Sequence, residues 1–140
     1  ADLADLARRQ LAAYMGKDAN QVRIDGEPII LPADQATPLG LVLHELATNA
    51  AKYGALSTAS GSVRLHWTIV DGPQRQLRLV WQEQGGPAVT PPTRRGFGGT
   101  LIERSLAGAA VRREFLPDGL VCTIELPLPA QHQQDERLPS

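Results

Sequence analysis

A change of hydrophobic period near the middle of the chain constrains its fold more than any other feature. From Pro32 to Tyr53 apolar residues recur at helical spacing, and Gly54 ends the pattern. Residues 63–69 and 77–81 then alternate around Asp71-Gly72-Pro73, which predicts two long antiparallel strands. A long helix followed by a strand pair buries its apolar stripe on the sheet, so the pattern predicts an α/β fold.

The first thirty residues carry two further elements. Residues 2–15 have helical apolar spacing and end at Gly16, a residue common just after a helix. Residues 22–31 alternate around Asp25-Gly26, a dipeptide that adopts positive φ easily. The pattern predicts an amphipathic helix followed by a small hairpin.

The last third of the chain repeats the strand pattern. Residues 111–115 and 120–126 predict a strand pair, and a helix is expected at 100–107. The elements together predict a two-layer α/β sandwich, with a mixed, mostly antiparallel sheet and helices on one face. A chain of 140 residues has room for one core, so we expect one domain over 1–128 and a disordered polar tail over 129–140.

Charge and cysteine content exclude several classes of function. Fourteen Lys and Arg balance fifteen Asp and Glu without a basic stripe, so nucleic-acid binding is not expected. No apolar run approaches the ~20 residues of a membrane helix. The single Cys122 is expected to be a small core residue in a reducing, cytoplasmic compartment. The chain starts at Ala1 without an export signal, as expected for a piece of a longer protein.

Three polar residues of the long predicted helix lie along one edge of its apolar stripe. Glu45, Asn49 and Lys52 recur at helical spacing and therefore share this edge. A carboxylate can take a proton, an amide oxygen can ligate a hard cation, and an ammonium can bind phosphate. The row suits a Mg–phosphate ligand, and a solvated Glu/Lys helix face is the alternative.

His44 precedes this row but does not complete a zinc motif. A metalloprotease helix needs a second His four positions later, where this chain has Thr48. We expect His44, and Trp81 on the strand, to support the residues that contact the ligand rather than to contact the ligand themselves. Ordinary structural roles are the alternative for both residues.

A second candidate group lies where the strand at 77–81 ends. Glu83 is followed by Gly85 and Gly86, so a carboxylate stands beside residues without side chains that could block a ligand. A flat ring could lie there. The alternative is a strand-terminal Glu before an ordinary Gly-Gly turn.

A glycine-rich segment precedes the predicted helix at 100–107. The N–H groups of a glycine loop and the N-terminal end of a helix together attract anions such as phosphate. The segment has Leu101 where a dinucleotide fingerprint has Gly, so a Rossmann site is not expected. The candidate phosphate-binding residues are Gly96, Phe97, Gly98, Gly99, Thr100 and Leu101.

Three motifs in this order resemble the N, G1 and G2 boxes of the GHKL ATPase superfamily. They are the segments His44–Tyr53, Trp81–Pro87 and Gly96–Leu101. The helical His44 and the Trp81-x-Glu83 pair resemble the HWE type of sensor histidine kinase. The resemblance implies the Bergerat fold, an α/β sandwich that holds ATP between helices and sheet.

The resemblance also implies roles for the candidate residues. Asn49 would ligate a Mg²⁺ ion that bridges the phosphates of ATP, Lys52 would contact phosphate, and Glu83 would accept the adenine amino group. Glu45, with His44 beside it, would be the catalytic base that polarises an attacking histidine. The nucleotide would also be lined by Gly85, Gly86 and residues 96–101.

The expected function is phosphorylation of a histidine on a separate dimerisation domain of the same parent protein, with a response regulator downstream. None of His44, His66 and His132 lies on a predicted dimerising helix, so the isolated chain is expected to bind nucleotide without phosphorylating itself. The alternative is a non-catalytic GHKL-like module that binds a protein partner. Neither function involves nucleic acid or membrane contact by this domain.

Overall fold

The computed structural model describes residues 1–15, 21–86 and 108–129. The candidate segment 96–101, the helix expected at 100–107 and the tail after residue 129 lie outside these residues. Two α-helices and five strands follow in chain order within them: α1 (Leu3–Leu11), β1 (Val22–Gly26), α2 (Ala33–Tyr53), β2 (Ser62–Val70), β3 (Gln76–Gln84), β4 (Ala110–Leu116) and β5 (Gly119–Pro127). Short 3₁₀ helices, Ala12–Tyr14 and Ala55–Ser57, follow the two α-helices.

The five strands form one sheet in the order β1-β2-β3-β5-β4. β1 lies parallel to β2, and the other three pairs are antiparallel. Trp81 lies at the centre of this sheet, opposite Leu65 on one side and Cys122 on the other. The predicted mixed, mostly antiparallel sheet is confirmed.

The two faces of the sheet have opposite character because side chains alternate along each strand. On the open face, Arg78 of β3 and Glu125 of β5 form an ion pair at 3.0 Å. The other face carries large buried side chains that pack with α1 and α2 in one core, including Leu65, Trp67, Leu79, Trp81 and Ile124. The helices therefore cover one face, as the two-layer sandwich predicts.

Each of the two α-helices has a capping hydrogen bond at one end. The Asp2 carboxylate caps α1 by accepting the Ala4 N–H at 2.8 Å. The Gly54 N–H closes α2 on the Ala50 carbonyl at 3.0 Å. No helix in the described part of the chain is both long and apolar enough to cross a membrane.

The hairpin predicted over residues 22–31 is wrong. β1 pairs with β2 instead, and the chain leaves the sheet after Gly26, so that Ile29 and Leu31 are buried in the core. An added Cβ at Gly26 would overlap the indole of Trp67, whose N–H donates to the Glu27 carbonyl at 2.8 Å. The Asp-Gly pair thus marks the exit from a strand, because α2 returns the chain and allows parallel pairing.

Candidate functional site

The predicted row of polar residues lies on the second half of α2. Asn49 is buried, with 5% of its surface exposed, because it lies between the core residues Leu46 and Ala50. Glu45 is half-buried one turn earlier, and Lys52 is exposed near the helix end. The row therefore combines a half-buried, a buried and an exposed residue along one helix edge, an arrangement that a purely solvated face does not have.

His44 lies on the solvent side of α2, next to this row. Its side chain is exposed, and its carbonyl accepts the Thr48 hydroxyl at 2.8 Å, a bond within the helix. The assisting role expected for His44 stays a prediction.

Glu83 joins the end of β3 to the end of α2. Its side chain points to the buried face of the sheet and is only 2% exposed. One oxygen, Oε1, accepts the backbone N–H of Ala55 at 3.1 Å, just beyond α2. The other, Oε2, accepts the indole N–H of Trp81 at 2.9 Å. The carboxylate of Glu83 is therefore bonded to the chain two residues beyond the end of the helix that carries Asn49.

The sequence indicates the Trp81–Glu83 contact but not the Ala55–Glu83 contact. Trp81 and Glu83 are two positions apart in a strand, and strand periodicity places both on one face. Ala55 carried no signal, because a backbone N–H becomes a site group only through the tertiary fold. Gly119 was also missed: it has φ 145, and an added Cβ would lie 2.9 Å from the Glu83 carbonyl carbon.

Gly85 and Gly86 are required by the packing of the chain itself. Gly85 has φ 75, in the region that favours glycine. An added Cβ at Gly86 would lie 2.7 Å from the backbone nitrogen of Ala55. Their predicted contact with a ligand stays a prediction, and the close approach of the α2–β2 connection gives a second reason for both glycines.

Curated proteins similar to this chain are blue-light-activated histidine kinases. The protein from Brucella anthropi is 37% identical over 132 residues, which cover 91% of this chain and 27% of that protein. Blue-light-activated histidine kinase 1 from Erythrobacter litoralis is 41% identical over 129 residues, covering 89% of this chain and 35% of that protein. The chain thus spans about a third or less of these relatives. No family model matches it.

Solved structures with the same fold are histidine kinase domains. The histidine kinase domain of an Erythrobacter litoralis blue-light-activated kinase superposes with a TM-score of 0.72 at 24% identity, covering 96% of this chain and 61% of that one. The mycobacterial sensor histidine kinase MprB gives 0.67 at 20% identity, covering 94% of this chain and 99% of that one. ThkA in complex with the response regulator TrrA gives 0.64 at 18% identity, covering 92% of this chain and 41% of that one. These likenesses show a shared fold.

Proposed function

We infer the function of this chain from the family to which it belongs, the histidine kinases, in which it is a catalytic domain of the HWE type. The domain binds Mg–ATP and supplies the γ-phosphate for phosphorylation of a histidine on a separate dimerisation domain. The observation that carries this proposal is the identity of 37% and 41% to two histidine kinases across nearly the whole chain.

The residues present fit Mg–ATP in their chemistry. The amide oxygen of Asn49 is a hard ligand of the kind that Mg²⁺ takes alongside phosphate oxygens. Asn49 lies on the same edge of α2 as Lys52, as two residues that share one Mg–phosphate ligand must. Lys52, exposed near the end of the same helix, can bring its ammonium to a phosphate.

Glu83 fits the adenine end of the same ligand. A carboxylate offers about four acceptor positions, so accepting one N–H on each oxygen does not exclude a further donor. An adenine amino group is such a donor. The buried position of Glu83 favours a role in recognition, because a hydrogen bond away from water discriminates strongly between partners.

Phosphoryl transfer in this proposal depends mainly on positioning and charge neutralisation. Asn49 and Lys52 hold the phosphate end, and Glu83 holds the base. Half-buried Glu45 takes the proton from the attacking imidazole of the acceptor histidine. When bound, Mg²⁺ neutralises phosphate charge.

The partners in this proposal are the dimerisation domain of the same parent protein and a downstream response regulator in the cytoplasm. A kinase and a response regulator occur together in the ThkA–TrrA structure. Within the described part of this chain, His44 is on α2, which packs in the core of the domain, and His66 is on the strand β2. The acceptor histidine is therefore expected on another domain.

Calorimetric titration of the chain with ATP, with and without Mg²⁺, tests the proposal. Mg²⁺-dependent binding of ATP is expected, and incubation with γ-labelled ATP should leave the isolated chain unlabelled. A matching helical domain with the acceptor histidine, added in trans, should become labelled. Absence of ATP binding would instead favour a non-catalytic module that recognises a protein partner.

A further inference from the structure

We propose that Trp81 is a positioning residue that determines which base the nucleotide site accepts. Its indole N–H and the Ala55 N–H together hold the Glu83 carboxylate in one orientation, so that a base must offer an N–H donor there. This inference rests on the proposed nucleotide-binding function and assigns the source of its base specificity.

The indole is itself held rigidly. Trp81 is fully buried at the centre of the sheet, between Leu65 of β2 and Cys122 of β5. A buried aromatic ring packed from both sides keeps a single rotamer. Its Nε1–H therefore points to a fixed place, 2.9 Å from Oε2 of Glu83.

The second donor comes from backbone and is equally fixed. The Ala55 N–H lies 3.1 Å from Oε1, and the Ala55 backbone is confined by its close approach to Gly86. The terminal torsion of a Glu side chain has a broad minimum, so the orientation of the carboxylate is set by the hydrogen bonds that it accepts. Two donors on different oxygens define its plane.

A carboxylate held in this way presents only acceptors to a third partner. The amino group of adenine offers an N–H donor, whereas guanine offers a carbonyl oxygen at the corresponding position. Two acceptors facing each other in a buried site repel, and neither is then satisfied. Loss of the Trp81 N–H removes the donor that orients Oε2, which weakens adenine binding and relaxes the rejection of guanine.

The first test compares Trp81→Phe with Trp67→Phe as a matched control. Trp67 is also buried, on the neighbouring strand, and its indole also donates one hydrogen bond, to the Glu27 carbonyl. Calorimetry should show that Trp81→Phe lowers the affinity for Mg–ATP about tenfold, as expected for one bond to a charged group, and lowers the ATP-to-GTP affinity ratio by a similar factor. Trp67→Phe should leave the ratio unchanged.

An unchanged ATP-to-GTP ratio in Trp81→Phe, or an equal change in both variants, overturns the inference. In that case Mg–ATP binding by the unmodified chain still supports the proposed function, so the two failures are distinguishable. Absence of Mg–ATP binding by the unmodified chain would contradict both the proposed function and the inference about Trp81.

A second measurement needs no variant and covers the case that Trp81→Phe fails to fold. The two tryptophans give two indole N–H resonances in a ¹⁵N-labelled chain. The Trp81 resonance should shift on saturation with Mg–ATP but not with Mg–tripolyphosphate, and the Trp67 resonance should serve as the internal reference. A Trp81 signal that does not respond to Mg–ATP contradicts the positioning role.

Discussion

Gly86 packs directly on the backbone of Ala55: a Cβ built on Gly86 would lie 2.7 Å from both the Ala55 nitrogen and its α-carbon. The turn after β3 is therefore in close contact with the turn after α2. The Glu83 carboxylate accepts the N–H of the same Ala55. The two segments that carry the candidate site are held to each other by close packing and a hydrogen bond at one residue.

Replacement of Gly86 by Ala should destabilise the chain. The added methyl group has only backbone atoms to displace, so we expect a loss of about 1–3 kcal/mol in the free energy of unfolding, measured in urea. Gly72→Ala is the matched control, since an added Cβ there has its nearest neighbour at 3.9 Å. Equal stability of the two variants would contradict the packing described for Gly86.

Two leucines of α2 should differ sharply in what their truncation costs. Leu43 is fully buried, and Leu43→Ala should cost about 2–5 kcal/mol because it leaves a cavity in the core. Leu41 is 53% exposed, so Leu41→Ala should change the free energy of unfolding by less than ~1 kcal/mol. Urea denaturation of both variants measures the difference, and a costly Leu41→Ala would show that this side chain is covered in solution.

Stability should fall as the pH is lowered past neutrality, in part through His66. Burial lowers the pKa of His66 below its ordinary value of 6.5, the nearby Arg64 lowers it further, and Asp25 opposes both. The unfolded chain therefore takes up its proton at higher pH than the folded chain, so stability is lost as pH falls below about 6.5. His66→Gln should show a flatter dependence between pH 7.5 and 5.5 in urea denaturation.

Two charge variants test the cause of this pH dependence, because they should change it in opposite directions. Arg64→Gln removes a charge that lowers the pKa of His66, so the loss of stability at low pH should become smaller. Asp25→Asn removes a charge that raises this pKa, so the loss should become larger. The same change in both variants would mean that their mutual ion pair, at 3.5 Å, dominates instead.

Asn49→Ala should weaken the Mg²⁺-dependent part of ATP binding. Removal of one metal ligand is expected to lower the affinity for Mg–ATP about tenfold to a hundredfold, while binding of adenosine changes little. Calorimetry with both ligands measures this, and a thermal melt shows whether loss of the buried amide has also disturbed the fold. A parallel loss of adenosine binding would argue that Asn49 has a structural role alone.

Glu45→Gln should separate nucleotide binding from phosphoryl transfer. The amide keeps the shape of the side chain but cannot take a proton, so transfer to an acceptor histidine in trans should slow by about 10²–10⁴-fold. Binding of Mg–ATP should remain within about twofold of the unmodified chain. Normal transfer by this variant would assign proton removal to another group.

The sequence predicted most elements because their periods are long and uninterrupted. α2, the β2–β3 pair and the β4–β5 pair agree with the patterns at 32–53, 63–81 and 111–126. Local signals are sufficient where neighbouring segments pair across a short turn. The row on α2 could be predicted for the same reason, since helical spacing alone brings Glu45, Asn49 and Lys52 to one edge.

Features that depend on distant segments could not be read from the sequence. Asp25-Gly26 carries a turn signal, but the partner of its strand is chosen by the whole core, and β1 pairs with β2 instead. The pattern at Gly85 and Gly86 predicts space for a ligand, whereas the approach of Ala55 to Gly86 depends on the tertiary fold and leaves no mark in the local sequence. The hydrogen bond between the Ala55 N–H and the Glu83 carboxylate also depends on distant segments and could not be predicted from the sequence.

The parallel pairing of β1 with β2 has a consequence for the order in which the domain folds. The β2–β3 and β4–β5 pairs can close from their own turns, whereas Gln21, just before β1, donates from its side-chain amide to the Gly61 carbonyl across a sequence separation of 40 residues. Closing so large a loop carries an entropic cost and slows the pairing of the strands that it joins. Pairing of β3 with β5 joins segments about as far apart in sequence as β1 and β2, so both of these contacts should form after the two local strand pairs.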